Sequence, residues 1–159
     1  MNPAPRNRLL RAGVGLAFVV SGAFVIMASL SSRPANLGVT GGSLSPCPST
    51  PNCVCSQNTN DPHYTPPLEF KSSVAEARAK LKQAVLGMSR SALVEEREDY
   101  LAFEFRSAIF RFVDDVEFLV RPGQNQIQVR SASRTGHSDL GVNRRRVEAI
   151  RLRFDALHP

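Results

Sequence analysis

Apolar positions recur every three or four residues between positions 72 and 88, which is the spacing of one face of an α-helix. The other side of this segment carries charged residues, namely Glu76, Arg78, Lys80 and Lys82. Ser73 followed three residues later by Glu76 fits a capping box, and Gly87 lies at the end. The segment therefore predicts an amphipathic helix.

After this segment the pattern changes to an alternation of apolar and polar residues, which is typical of half-buried strands. We expect strands near 92–98, 100–106, 113–121 and 126–133. Pro and Gly at 122–125 indicate a turn, and such a short connection makes the last two strands an antiparallel hairpin.

A second helical pattern covers about 140–157, and Ser138 or Asp139 can cap its start. Its apolar stripe is Val147, Ile150, Phe154 and Leu157. Both helices should cover the apolar face of the sheet. The predicted fold class is α+β, in the order α-β-β-β-β-α, with two helices packed on one face of a four-stranded antiparallel sheet behind an N-terminal transmembrane helix.

The opposite sheet face is expected to carry charges of both signs, on Glu104, Arg106, Glu117, Arg121, Gln128 and Arg130. Antiparallel sheets often leave one face in water, where such pairs contribute roughly 0 to 1 kcal/mol each. The alternative is a platform that binds a ligand or docks another protein.

Residues 12–30 form an uncharged apolar run that follows Arg6, Arg8 and Arg11. Its nineteen residues approach the ~20 that a helix needs to cross a bilayer. The basic residues favour a cytoplasmic tail at 1–11, an anchor at 12–30, a tether at 31–43 and an extracytoplasmic, periplasmic domain at 44–159. A cleaved signal peptide is the alternative, although the run is longer than most and only the stretch around Ser29 and Ser31 resembles a cleavage site.

The net charge of +6 is concentrated at the N-terminus. Four of the twenty basic residues precede position 37, which leaves sixteen basic against fourteen acidic residues after it. We therefore expect the membrane and an envelope ligand or protein as partners, and no nucleic acid.

Outside the cytoplasm thiols tend to oxidise, and the short loop between Cys47 and Cys53 contains Pro48 and Pro51. A Cys47–Cys53 disulfide is the leading interpretation, with Cys55 left over. A zinc site or a catalytic thiol is less favoured, because the cysteine spacing does not match paired zinc knuckles and no base lies nearby in the sequence. We expect no metal and no cofactor.

The junction between the last strand and the last helix is rich in arginine, serine and glycine. Such a junction can bring cationic side chains to the free amides of a helix N-terminus, where anions bind. The candidate ligand-binding residues are Arg130, Ser131, Ser133, Arg134, His137, Ser138, Asp139, Asn143, Arg144 and Arg145. The alternative is ordinary: a capped helix whose arginines pair with the carboxylates of Asp114, Asp115 and Glu117.

Four separate motifs along the chain resemble an uncharacterised family, domain of unknown function 1499. The motifs are the stretch around Cys47 and Cys53 at 46–53, FVDDVEF at 112–118, RSASR at 130–134 and SDLGVNRRRVEAIR at 138–151. The resemblance covers about 44–157. It implies a secretion or membrane segment in many members and the pairing of Cys47 with Cys53, since Ser commonly stands where this chain has Cys55.

These observations favour a membrane-anchored envelope protein that acts as a non-catalytic binding module for an anionic ligand, a lipid headgroup or a protein partner. A hydrolase-like enzyme using His137 and Asp139 is one alternative, although side chains adjacent in sequence point apart and do not form a relay. A structural partner in an envelope complex is the other. No catalytic residue is identified.

Overall fold

A computed structural model describes residues 32–59 and 62–157. Its α-helices are α1 (Val74–Leu86) and α2 (Val142–Ala156). Its strands are β1 (Val39–Thr40), β2 (Ser43–Leu44), β3 (Cys53–Cys55), β4 (Leu68–Glu69), β5 (Ser91–Glu96), β6 (Tyr100–Arg106), β7 (Val113–Arg121) and β8 (Gln126–Ser133). Both predicted helices and all four predicted strands are confirmed to within two residues at every end.

The prediction of a four-stranded sheet is wrong, because the main sheet has six strands. The order is β3-β8-β7-β6-β5, and β4 also pairs with β8. Both extra strands run antiparallel along the free edge of β8, with Cys53 opposite Ala132 and Leu68 opposite Ile127. They contain only three and two residues, which is too short for any alternation to appear in the sequence.

One face of the sheet packs against both helices, as predicted. The helices contribute a fully buried stripe each, and β6 supplies Leu101, Phe103 and Phe105 between them. Phe103 meets Phe118 of β7 edge to face, with ring centroids 5.9 Å apart. At the start of α1, the hydroxyl of Ser73 accepts a hydrogen bond from the amide of Glu76, which confirms the predicted cap.

The other face of the sheet is covered by residues 32–52, which precede β3 and which we call the covering segment. Its hairpin of β1 and β2 places Leu44 against Tyr100, Ala102 and Leu119 in a second apolar cluster. Gln57 accepts a hydrogen bond from the amide of Leu44 at 2.7 Å. This face therefore holds buried polar groups rather than the water-exposed charges expected from the sequence.

The cysteine prediction is confirmed. Cys47 and Cys53 form a disulfide, which ties the covering segment to the first residue of β3. Cys55 keeps a free thiol and is buried, and burial raises the pKa of that thiol. A raised pKa keeps the thiol protonated and poorly nucleophilic.

Within residues 32–59 and 62–157, no helix is long and apolar enough to cross a membrane. The predicted anchor at 12–30 lies outside the described residues.

Candidate functional site

The predicted junction residues divide between the two faces of the sheet. Successive residues of a strand point to opposite faces, so Arg130 faces the covering segment while Ser131 faces α2. Arg134 continues on the side of Arg130. The structure therefore does not bring Arg130 and Arg134 to the amides at the start of α2.

Those amides are occupied by Asp139. Its carboxylate accepts hydrogen bonds from the amide of Gly141 at 2.8 Å and from the amide of Asn143 at 2.7 Å. The side-chain amide of Asn143 also donates to Asp139, at 2.8 Å, and to Ser133 Oγ, at 3.0 Å. Ser131 Oγ donates to Asn143 Oδ1 at 2.5 Å. These residues fasten the start of α2 to β8, and Asn143 is fully buried among them.

Partial burial disfavours the ionised form of Asp139, but hydrogen bonds from the amides of Asn143 and Gly141 outweigh it. The pKa of Asp139 consequently lies below its ordinary value. The carboxylate is a stable anion at neutral pH and fills the position that an external anion would take at this helix end.

The three consecutive arginines of α2 have separate roles. Arg144 donates to the carbonyl oxygens of Tyr64, at 2.8 Å, and Pro62, at 3.3 Å. Arg145 donates to the carbonyl of Leu140 at 2.9 Å. Arg146 pairs with Asp114 and lies over the ring of Phe105, 4.8 Å from its centroid.

On the opposite face, Glu117 is the centre of a buried hydrogen-bond network. Its Oε1 accepts from the amide of Gly38 at 2.6 Å and from the hydroxyl of Tyr100 at 2.8 Å. Its Oε2 accepts from Arg130 at 3.0 Å. Glu117 is 0% exposed, and burial together with the charge on Glu117 raises the pKa of Tyr100, which stays protonated and donates.

Arg134 lies beside this network and is shared by two carboxylates. It binds Asp115 through two nitrogens, at 2.8 and 2.7 Å, and Glu104 at 2.5 Å. The hydrogen bonds to Asp115 raise the pKa of Arg134 despite its burial. The predicted pairing of arginines with Asp114, Asp115 and Glu117 is therefore present. Arg146 of α2 pairs with Asp114, whereas Arg134 pairs with Asp115 and Arg130 with Glu117.

A cavity of about 480 Å³ lies over Arg130 and Arg134. Its remaining walls come mainly from the covering segment, including Pro34, Pro46 and Cys47. The Nε of Arg130 is buried and finds no partner among the residues that the structure describes. The charges in this region nevertheless balance, because each arginine is engaged by at least one buried carboxylate.

A second cavity, of about 470 Å³, opens where the end of α1, the end of β6 and α2 meet. We call it the arginine pocket, because five arginines line it against a single acid, Asp114. The arginines are Arg90, Arg106, Arg145, Arg146 and Arg153. Its apolar walls include Met88, Phe105 and Val142.

Several guanidinium groups of the arginine pocket keep donors available. Arg90 uses Nε on the carbonyl of Arg106, and Arg145 uses one nitrogen on Leu140. The guanidinium group of Arg153 makes no hydrogen bond or ion pair in the described part of the chain. Unsatisfied guanidinium donors around a concave site can bind phosphate or carboxylate oxygens.

Of the five arginines, only Arg145 belongs to the predicted ligand-binding residues, whereas Arg90, Arg106 and Arg153 do not. These residues lie in a turn, a strand and a helix, so no local motif joins them. The run Arg144–Arg146 was the one available signal, and only the folded chain adds the other cations to it.

We predict that replacing Asp139 with Ala lowers the free energy of unfolding at neutral pH by about 0.5 to 2 kcal/mol, the range for loss of a helix cap. A carboxyl whose pKa is depressed by folding stabilises the protein above its unfolded pKa and loses that contribution as the pH falls. The gap between wild type and variant should therefore close below about pH 4. Urea unfolding at several pH values measures this gap.

Asp155→Ala serves as the matched control, because Asp155 is an exposed acid of the same helix. A gap for Asp139→Ala that stayed constant from neutral to strongly acidic pH would contradict the capping role.

Residues 43–154 match the family model described as protein of unknown function, DUF1499. Neither a curated protein nor a solved structure matches this chain. The match spans β2 to the last turn of α2, so it includes the disulfide, the contacts of Glu117 with Tyr100 and Arg130, and the arginine pocket. The chain belongs to the DUF1499 family of proteins of unknown function.

Proposed function

We propose that this protein is a non-catalytic binding module of the cell envelope that takes an anionic ligand in the arginine pocket. The single observation that carries the proposal is the charge around that cavity: five arginines and one acid line it. The cavity is open to solvent and is lined by apolar side chains as well as by arginines. This combination suits a ligand with a phosphate, sulfate or carboxylate group.

The arginine pocket supports the proposal better than the cavity over Arg130 and Arg134. In that cavity Arg130 faces the buried carboxylate of Glu117, and Arg134 is shared by Asp115 and Glu104. An anion placed there would meet Asp115 and two arginines whose charges are already balanced by carboxylates. Like charges at short range disfavour binding. In the arginine pocket Arg106 pairs with Glu104 and Arg146 with Asp114, whereas Arg90, Arg145 and Arg153 have no carboxylate partner in the described part of the chain.

We do not propose the hydrolase alternative. A general base needs a pKa near the working pH and a free lone pair, whereas Asp139 has a lowered pKa and binds two backbone amides. His137 is exposed, and within the described ranges no hydrogen bond joins it to a carboxylate.

The cellular placement is part of the proposal. The apolar run at 12–30 serves as a single-pass anchor with the N-terminus in the cytoplasm and the domain outside it. The disulfide supports an oxidising compartment, because such bonds persist mainly outside the cytoplasm.

The ligand-binding proposal predicts that inorganic phosphate raises the melting temperature of the full chain in an uncharged detergent. Binding to the folded state alone adds RT ln(1 + [L]/Kd), roughly 2.7 kcal/mol at a hundredfold excess over Kd. The double variant Arg145→Ala/Arg153→Ala should lose this stabilisation. These two arginines are chosen because Arg106 and Arg146 already hold ion pairs.

Arg144→Ala is the control for the loss of positive charge from this helix, since it removes one arginine that donates to loop carbonyls outside the pocket. Phosphate also stabilises proteins non-specifically by exclusion from their surface. A rise in melting temperature of the same size in wild type, control and double variant would therefore contradict a site at the arginine pocket.

The anchor proposal predicts that alkaline extraction leaves the full chain in the membrane fraction, because a spanning helix stays in the hydrocarbon core. Immunoblots of the pellet and supernatant measure this. Sequencing the N-terminus of the recovered protein separates the alternatives: a mature chain that begins after Ser31 would establish a cleaved signal peptide instead.

A further inference from the structure

Large apolar side chains are exposed around the rim of the arginine pocket. Ile109 is 76% exposed and Leu140 is 84% exposed. Ile109 and Phe110 follow Ala108, which lines the pocket, and Leu140 precedes Val142 on its other side. Apolar groups exposed beside a cluster of cations form an amphipathic surface.

The loop that carries Ile109 and Phe110 is ordered by its own hydrogen bonds. The amide of Ser107 donates to the carbonyl of Phe112 at 2.9 Å. The amide of Phe112 donates to the hydroxyl of Ser107 at 2.9 Å. The loop therefore closes on itself and holds its apolar tip away from the core.

Backbone strain is concentrated around the same pocket. In the described part of the chain, four residues other than glycine have a positive φ. Arg90, Arg111 and Leu140 are three of them, at 62°, 58° and 54°, and each lies in or next to a segment that borders the pocket. A left-handed backbone is costly for such residues, and strain of this kind clusters at functional sites.

We propose that the arginine pocket and its apolar rim form a docking surface for an anionic lipid bilayer. The guanidinium groups bind the phosphate of a headgroup, while Ile109, Phe110 and Leu140 enter the boundary between headgroups and acyl chains. This inference rests on the proposed function, and it names the ligand of the same site. A soluble anion would account for the arginines, but it would leave the exposed apolar rim without a role.

The charge of the surface fits this occupant. Basic side chains gain attraction close to an anionic leaflet, and amphipathic surfaces bury their apolar side to about 5–10 Å. Arg90 lies in the turn after α1, Arg145 in the first turn of α2 and Arg153 in its last turn, so arginines from separate segments line the cavity. A headgroup can therefore be contacted from several sides.

The chain between the proposed anchor and the domain is long enough for this docking. The amide of Gly38 donates to Glu117. Along β7, Glu117 lies four residues, or about 14 Å, from Val113, where the strand begins after the apolar loop. The eight residues from Leu30 to Gly38 span up to about 26 Å when extended. The pair of Arg33 with Glu95 lies at the surface, where an ion pair contributes little, so it does not prevent this extension.

The chain contains no tryptophan, so Ile109→Trp introduces a single reporter at the rim. The full-length variant is reconstituted in bilayers of phosphatidylcholine alone or with phosphatidylglycerol, each containing lipids brominated on the upper acyl chain. We expect bromine to quench the indole about twofold or more in the anionic bilayer only. Adding Arg145→Ala and Arg153→Ala should remove most of this quenching.

Gln124→Trp is the control, because the turn that contains it is exposed at the other end of β7, nine residues or about 30 Å away. Its fluorescence should not respond to brominated lipid in either bilayer. Equal quenching at both positions, or at position 109 without anionic lipid, would overturn the proposal. Phosphate could raise the melting temperature of the wild type but not of the Arg145→Ala/Arg153→Ala variant, while Trp at position 109 is never quenched. In that case the proposed function stands with a soluble ligand, and the docking surface is refuted.

Discussion

The carboxylate of Glu117 is the constraint on which the rest of the structure depends. A charge removed entirely from water is tolerated only when its oxygens are matched by donors. The three donors come from distant parts of the chain: Gly38 before β1, Tyr100 at the start of β6 and Arg130 in β8. Satisfying one buried charge therefore fixes the covering segment and the three central strands, β6, β7 and β8, relative to one another.

This constraint also determines which surfaces are free to bind. Because the covering segment is fastened over Glu117 and by the disulfide, the charges on that face are paired and largely shielded. The start of α2 is likewise occupied, since Asp139 takes its amides. The arginine pocket differs from both places, because its cations outnumber its acids and face solvent. The proposed function follows from how many of the positive charges in each place are balanced by carboxylates, rather than from the number of arginines alone.

The sequence predicted the parts of the fold whose residues repeat with a regular period. Both helices and β5 to β8 have enough turns or alternations for the pattern to be recognised. The strands β3 and β4 do not, and they lie in a stretch rich in proline in which no period is visible. The four-stranded prediction failed for this reason.

The site was predicted less completely, because its chemistry depends on long-range contacts. Successive residues of β8 point to opposite faces, so the junction residues predicted as one site are divided between the two faces of the sheet. Ser131 contacts α2, whereas Arg130 contacts Glu117 on the other face. Arg90 and Arg153 gave no local signal, since a turn residue and a residue in the last turn of a helix become neighbours only after folding. The disulfide was easier to predict, because an oxidising compartment and the short spacing between Cys47 and Cys53 both indicated it.

The most direct test of the account is the hydrogen exchange of the backbone amide of Gly38. In the wild type this amide should be strongly protected, because it donates to a fully buried carboxylate. Glu117→Gln, which weakens the bond to Arg130, should speed exchange at Gly38 and along β1 and β2 while α1 and α2 keep their protection. Glu96→Gln, which alters an exposed pair with Lys82, should leave Gly38 unchanged. Fast exchange at Gly38 in the wild type, or equal protection in Glu117→Gln, would contradict the central role of Glu117.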